Sequence, residues 1–238
     1  MQLLILAAGR GRRIKEISSK YPKCLIKIND ETLLKRLINQ SKVLKINIIN
    51  LLLGYKYQKV LNYLKTKKDL KVNTFIFKNF KNNNNFLTLY KFRKLLSNKD
   101  TLISFSDIFL SEKILKNFKK VKKRNVIVFV DIRKIRKGTM KIKCSSNYLQ
   151  YINVKDNKIK SDGNFIGLLY LPKSSSKMFI KELENNYPNF NKFYYVEVLN
   201  QLIAKKKKIK IFKIFDYWTE IDTISDLKKL KKYHNETL

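Results

Sequence analysis

From residue 3 to residue 130 the chain alternates short apolar runs with helical patterns, and no other feature restricts its fold as strongly. Residues 3–8 are apolar throughout. They lack the polar alternation of a half-exposed strand, so they read as a strand buried on both faces. Residues 33–44 read as a helix with Leu33, Leu34, Leu37, Ile38 and Leu44 on one side. Apolar runs at 46–53, 72–77, 101–105 and 126–130 read as further strands. Helical patterns around 60–64, 86–96 and 115–121 lie between them. Strands that alternate with helices predict a parallel sheet covered on both faces.

After Asp131 the pattern changes. Segments 140–144, 149–154, 158–161 and 165–171 read as short strands, with turns at Asp156-Asn157 and Asp162-Gly163. Helices are expected over 174–185 and 194–205, then a strand over 209–215 and a helix over 223–233. No repeat and no Gly/Ser/Pro linker divides the chain. The expectation is one α/β, Rossmann-like domain over residues 1–238, with a mixed, mostly parallel sheet and a β-rich substrate-facing part.

The first strand runs into Gly9-Arg10-Gly11-Arg12-Arg13, and Pro22-Lys23 follows about ten residues later. Glycines directly after a strand let the backbone approach a phosphate and present N–H groups to its oxygens. Arg13 and Lys23 add cations for a group carrying several negative charges. The string is neither a dinucleotide-binding fingerprint, since the third glycine is missing, nor a Walker A loop. Two further strings carry carboxylates. Ser106-Asp107 follows the strand over 101–105, where open α/β sheets bind ligands. Glu220-Ile221-Asp222 precedes the last helix. Taken alone, Asp107 has a helix cap as its alternative reading, and Asp222 an N-cap.

The string Leu6-Ala7-Ala8-Gly9-Arg10-Gly11-Arg12-Arg13, with Pro22-Lys23, resembles the signature of the nucleotidyltransferases that activate sugar phosphates and choline phosphate. The resemblance implies that Leu6, Ala7, Ala8, Gly9, Gly11 and Arg13 hold a nucleoside triphosphate and that Lys23 contacts the reacting phosphates. Arg10 and Arg12 fill variable positions. It implies Mg²⁺ as cofactor, with Asp107, Asp222 and Glu220 as ligands. Catalysis would rest on Lys23, Arg13, Asp107 and Asp222.

Asn84-Asn85-Phe86-Leu87-Thr88 resembles the segment that borders the nucleotide, so Asn84, Asn85, Thr88 and Ser106 join the expected nucleotide site. Gly54-Tyr55 matches a turn of the same family. Ser106-Asp107-Ile108 and Gly163-Asn164-Phe165-Ile166-Gly167-Leu168-Leu169 resemble the choline-phosphate and phosphonate cytidylyltransferase branch, although Asn164 stands where that branch often has Glu. A Val-Glu-Lys-Pro segment typical of hexose-1-phosphate enzymes is absent. The implied reaction moves CMP from CTP to a small phosphorylated or phosphonate acceptor such as choline phosphate. The implied setting is synthesis of cell-surface glycan or lipid precursors. The alternatives are a sugar-1-phosphate enzyme using UTP, dTTP or GTP, and a non-catalytic nucleic-acid-binding protein.

A quaternary ammonium has no hydrogen-bond donor, so an acceptor such as choline phosphate calls for aromatic faces and a carboxylate. Tyr194, Tyr195, Tyr217 and Trp218, with Glu197, are the candidates.

Composition bears on partners. The net charge is +35, but Lys, Asn, Ile, Phe and Tyr are enriched together, and lysine dominates arginine. That pattern fits an AT-rich coding bias better than specific nucleic-acid recognition, which leans on arginine. Two cysteines and one histidine cannot build an ordinary zinc site. No stretch reaches the length of a membrane span, and no signal for an oligomeric state stands out. The sequence therefore reads as a cytoplasmic protein with a nucleotide and a small phosphorylated substrate as its partners.

Overall fold

The computed structural model describes residues 1–78, 84–153, 160–192 and 194–237. The strands are β1 (Gln2–Ala7), β2 (Lys27–Ile28), β3 (Glu31–Thr32), β4 (Ile48–Leu53), β5 (Asn73–Ile76), β6 (Thr101–Phe105), β7 (Ile108–Leu110), β8 (Ile127–Asp131), β9 (Lys141–Ser145), β10 (Tyr148–Asn153), β11 (Gly163–Leu171), β12 (Lys210–Lys213) and β13 (Trp218–Glu220). The helices are α1 (Lys15–Ser18), α2 (Leu33–Ser41), α3 (Tyr57–Lys65), α4 (Asn85–Lys91), α5 (Glu112–Lys119), α6 (Lys173–Asn185), α7 (Val198–Ala204) and α8 (Ile224–Thr237). Among the described residues no helix is long and apolar enough to cross a membrane.

Nine strands form one sheet in the order β5-β4-β1-β6-β11-β8-β12-β10-β9. The first four are mutually parallel. The sheet turns mixed at β11, which runs antiparallel to both β6 and β8. This is the mixed α/β sheet expected from the sequence.

Strand β1 shows why the opening run is uniformly apolar. Leu3, Ile5 and Ala7 pack into one core with α2, α3 and α5, while Leu4 and Leu6 pack into a second core with α4, α6 and α7. A strand with a core on each side has no polar face to write into its sequence. The chain leaves β1 for β4 on one side and returns to β6 on the other. A cleft at the carboxyl ends of β1 and β6 follows from that reversal.

Some expected elements divide. The helix expected over 86–96 is α4 followed, after Phe92, by a 3-10 turn at Arg93–Leu96. The helix expected over 194–205 is a 3-10 turn at Tyr195–Glu197 and then α7. Of the strand expected over 158–161, residues 158 and 159 lie outside the described residues, and residues 160–161 are not strand.

Candidate active site

The cleft has a volume of about 330 Å³. Leu6, Ala7, Ala8, Gly9 and Gly11 form one lip, continuing the line of β1. A Cβ added to Gly9 would meet no atom within 4 Å, so the backbone there stands open to a ligand. Gly11 has φ +62°, a left-handed conformation that favours glycine. A Cβ there would fall 3.1 and 3.2 Å from two carbons of the Lys23 stem. The second glycine therefore leaves room for Lys23 to cross beneath the loop.

Asp107 and Asp222 are 115 positions apart in sequence and meet through one small pairing. Strands β7 and β13 run antiparallel, with Trp218 opposite Leu110, Thr219 opposite Phe109 and Glu220 opposite Ile108. The Ile221 N–H then donates to the Asp107 carbonyl at 2.9 Å. Thr223 and Asp226 cap the start of α8: the Asp226 N–H donates to the Thr223 hydroxyl at 3.2 Å, and the Asp226 carboxylate accepts the Thr223 N–H at 2.8 Å. Asp222 is therefore not the N-cap of α8, and its carboxylate points to the cleft instead. Nor does Asp107 cap a helix, because β7 follows it directly.

One carboxylate oxygen from each of Asp107, Glu220 and Asp222 lies within 4.8 Å of the others. Lys23 reaches into this group. Its Nζ is 2.9 Å from Asp107 Oδ2 and in contact with Asp222 Oδ1, and all three side chains are at most 18% exposed. Arg13, 59% exposed, places Nη2 2.7 Å from Asp222 Oδ2. Burial alone would lower the Lys23 pKa, but the charges of Asp107 and Asp222 and their hydrogen bonds outweigh it and hold the ammonium above the ordinary lysine value. Glu220 is pushed well above the ordinary carboxylate range, first by burial and then by repulsion from Asp107 and Asp222. The set draws cations, and three hard oxygens with room for further ligands suit Mg²⁺, which keeps waters and phosphate oxygens. Cys24, beside Lys23, is pushed up to about 12 by burial and then by Asp107, so its thiol stays protonated.

Asn84, Asn85, Thr88 and Ser106 line the cleft. Two of their side chains also hold the frame. Asn84 Oδ1 accepts the Leu87 N–H at 3.1 Å and caps α4, and Asn85 Oδ1 accepts the Tyr195 N–H at 3.0 Å.

The expected aromatic cage does not assemble. Tyr194 lines the cleft, but Tyr195 and Trp218 are fully buried. The Tyr195 ring meets Phe105 edge-on with 6.0 Å between centroids. The Trp218 indole N–H donates to Asp131 Oδ2 at 2.7 Å. Glu197 accepts the Tyr194 N–H at 2.6 Å, closing a turn. Tyr217 stacks on Tyr233 at 3.6 Å between centroids. Large aromatic rings gain more from core burial than from a place in an open wall, and that is where Tyr195 and Trp218 went. Trp218→Ala is accordingly expected to cost about 3–5 kcal/mol of stability, read by denaturant unfolding. A change below about 0.5 kcal/mol, the scale for a surface ring, would mean Trp218 is not core.

Phe105, Gly138, Met140 and Phe165 also line the cleft and were not among the expected site residues. Phe165 lies in the quoted 163–169 string, but Gly138 and Met140 come from an irregular stretch with no motif to mark it.

The family model described as Nucleotidyl transferase matches residues 2–236. The CTP:phosphoglutamine cytidylyltransferase of Campylobacter jejuni is 26% identical, covering 95% of this chain and 98% of that protein. The choline-phosphate cytidylyltransferase of Streptococcus pneumoniae is 30% identical over 49% of each chain. Among solved structures, a CTP:phosphocholine cytidylyltransferase from Streptococcus pneumoniae superposes with a TM-score of 0.82 at 22% identity, covering 98% of both chains. A UDP-glucose pyrophosphorylase bound to UDP-glucose also reaches 0.82, at 14% identity, covering 100% of this chain and 99% of that one.

Proposed function

This chain belongs to the nucleotidyl transferase family, and we propose that it transfers CMP from CTP to a small phosphorylated acceptor with release of pyrophosphate. The observation that carries the reading is the meeting of Lys23, Asp107, Glu220 and Asp222 beneath the glycine loop. An acceptor phosphate oxygen attacks the α-phosphorus of CTP. The new P–O bond forms as the bond to the bridging oxygen of pyrophosphate breaks, and the leaving group carries away that electron pair. The attacking oxygen is already an anion near neutral pH, so no general base is required. The protein's part is positioning and charge neutralisation.

In this reading the backbone of Gly9 and Gly11 cradles the triphosphate. Arg13 and Lys23 leave the carboxylates for phosphate oxygens, and Asn84, Asn85, Thr88 and Ser106 border the nucleoside. A Mg²⁺ held by Asp107 and Asp222, with Glu220 beside them, would supply further neutralisation of phosphate charge. In this reading the protein works in the cytoplasm, where CTP is supplied.

The fold is shared with a UDP-glucose enzyme at the same TM-score, so the fold does not favour one base over another. Sequence similarity favours CTP, since both curated relatives described above are cytidylyltransferases by name. The acceptor is a small phosphorylated compound such as choline phosphate or phosphoglutamine. With Trp218, Tyr195 and Phe165 in the core, recognition of a quaternary ammonium would fall to Tyr194 and Phe105. The test is pyrophosphate release from each of four NTPs against choline phosphate, 2-aminoethylphosphonate, phosphoglutamine and glucose-1-phosphate. CTP with one of the first three is expected to exceed every hexose combination. Preference for glucose-1-phosphate with UTP or dTTP would move the chain to the sugar-activating enzymes. Binding of generic RNA or DNA, falling steeply with salt and without turnover, would favour the nucleic-acid alternative.

A further inference from the structure

Residues 132–140, between β8 and β9, form an irregular loop whose Gly138 and Met140 line the cleft. A Cβ on Gly138 would lie 3.7 Å from Arg13 Nη1, so the loop closes the cleft against the arginine of the glycine loop. An irregular loop cannot satisfy its backbone polar groups in a ladder, so side chains must do it. Here one buried side chain meets two of those groups, the Arg136 N–H and the Lys134 carbonyl.

Asn164, in β11, is fully buried. Its Oδ1 accepts the Arg136 N–H at 2.8 Å and the Thr139 hydroxyl at 2.8 Å. Its Nδ2 donates to the Asp131 carbonyl at 3.1 Å and to the Lys134 carbonyl at 2.7 Å. Those four bonds fill the capacity of a carboxamide. The glutamate often found here in the resembling branch has no N–H to give when ionised, so Asn is a change of role as well as of charge.

The loop is also tied to the segment that carries the acidic residues. Arg136 Nη1 donates to the Trp218 carbonyl at 2.8 Å, and its guanidinium lies 4.6 Å from the indole centroid. Arg133 grips Asp131 through Nε and Nη2, each at 2.9 Å, and donates to the carbonyls of Phe215 and Asp216. The Trp218 indole donates to the same Asp131. Two residues beyond Trp218 stands Glu220, and two further Asp222.

We propose that Asn164 and Arg136 are positioning residues that hold loop 132–140 as the acceptor-side wall of the cleft, in fixed register with the carboxylates of Glu220 and Asp222. The proposal rests on the reading that the nucleotide occupies the opposite side, against residues 6–13 and 84–88. Neither residue touches the reacting atoms; each acts through the loop.

The test uses the full chain as Asn164→Asp, which keeps the volume and the acceptor oxygen but loses both N–H donations, and as Arg136→Met. The second variant is the safeguard, because a buried carboxylate at 164 can prevent folding and Arg136 is part-exposed. Hydrogen exchange of the ligand-free protein is read at amides 6–13, 132–140 and 215–222. Both variants are expected to exchange about tenfold faster or more at 132–140 and 215–222, and unchanged at 6–13. With CTP and the acceptor that turns over fastest, acceptor KM is expected to rise about tenfold while CTP KM stays within twofold, as for a displaced positioning wall.

Faster exchange confined to 132–140 would overturn the coupling. Equal rises in both KM values, or a lowered Tm with both KM values unchanged, would overturn the assignment to the acceptor side. If no acceptor turns over with the wild type, the functional reading fails, and the exchange pattern still decides whether loop and acidic segment move as one.

Discussion

Asp107→Ala and Asp222→Ala are each expected to lose turnover by about 10³-fold or more, the scale of removing a ligand from a metal that supplies several kcal/mol of charge stabilisation. The proteins should remain folded. In the ligand-free chain Asp107, Glu220 and Asp222 repel one another across 4.8 Å or less, and Lys23 and Arg13 offset that repulsion. Removing one carboxylate relieves strain as much as it breaks an ion pair, so a thermal scan should show little change. Chelation with EDTA should abolish wild-type turnover and added Mg²⁺ restore it. Pyrophosphate release that persists in metal-free buffer would remove Mg²⁺ from the reaction, and near-normal release from either variant would remove that residue from its site.

Lys23→Ala is expected to lower kcat by roughly 10²–10³, the cost of one preorganised charge stabiliser. Lys23 lies at the junction of the glycine loop and the carboxylates, its stem passing beneath Gly11 and its ammonium between Asp107 and Asp222. To act on phosphate it must exchange these partners, which makes a second and opposite effect measurable. With the ammonium gone, ligand-free Lys23→Met should bind Mn²⁺ at least about tenfold more tightly than wild type, since one competing positive charge is removed from the site. Calorimetry with Mn²⁺ alone reads this without any substrate. Weaker Mn²⁺ binding in the variant would mean that Lys23 shapes the carboxylates instead of competing for them. An unchanged kcat/KM would remove Lys23 from the chemistry and leave it a partner of the two aspartates only.

The two kinds of residue in this cleft differ in how far the sequence announced them. Gly9, Gly11, Arg13 and Lys23 lie within fifteen positions of one another and follow a recognisable strand. Their arrangement is local, because the conformation of a glycine loop depends on its own residues. The same holds for β1, β4 and β6 and for helices α2 and α5, whose apolar periods appear directly in the chain. The metal-binding roles expected of Asp107 and Asp222 came only through resemblance, since an aspartate after a strand or before a helix also has a reading as a cap.

What the sequence determined by itself was the alternation of buried strands with amphipathic helices, the glycine-rich turn after the first strand and the cations that serve it. Each of these arises from neighbours along the chain. The tertiary structure decided which distant residues meet and which aromatic rings are left for a ligand. The three-residue pairing of β7 with β13 brings Asp222 to Asp107, and no local signal foretells a pairing across more than a hundred residues. Tyr195 stands next to a cleft-lining residue and Trp218 two positions from one, yet packing takes both into the core, because an aromatic side chain suits an interior and a binding wall equally well until its neighbours are known. Asn164 shows the same limit from the polar side. A single amide in an apolar strand gave no hint that it would close a loop thirty residues away, because burial and four partners are properties of the folded surroundings and not of the residue.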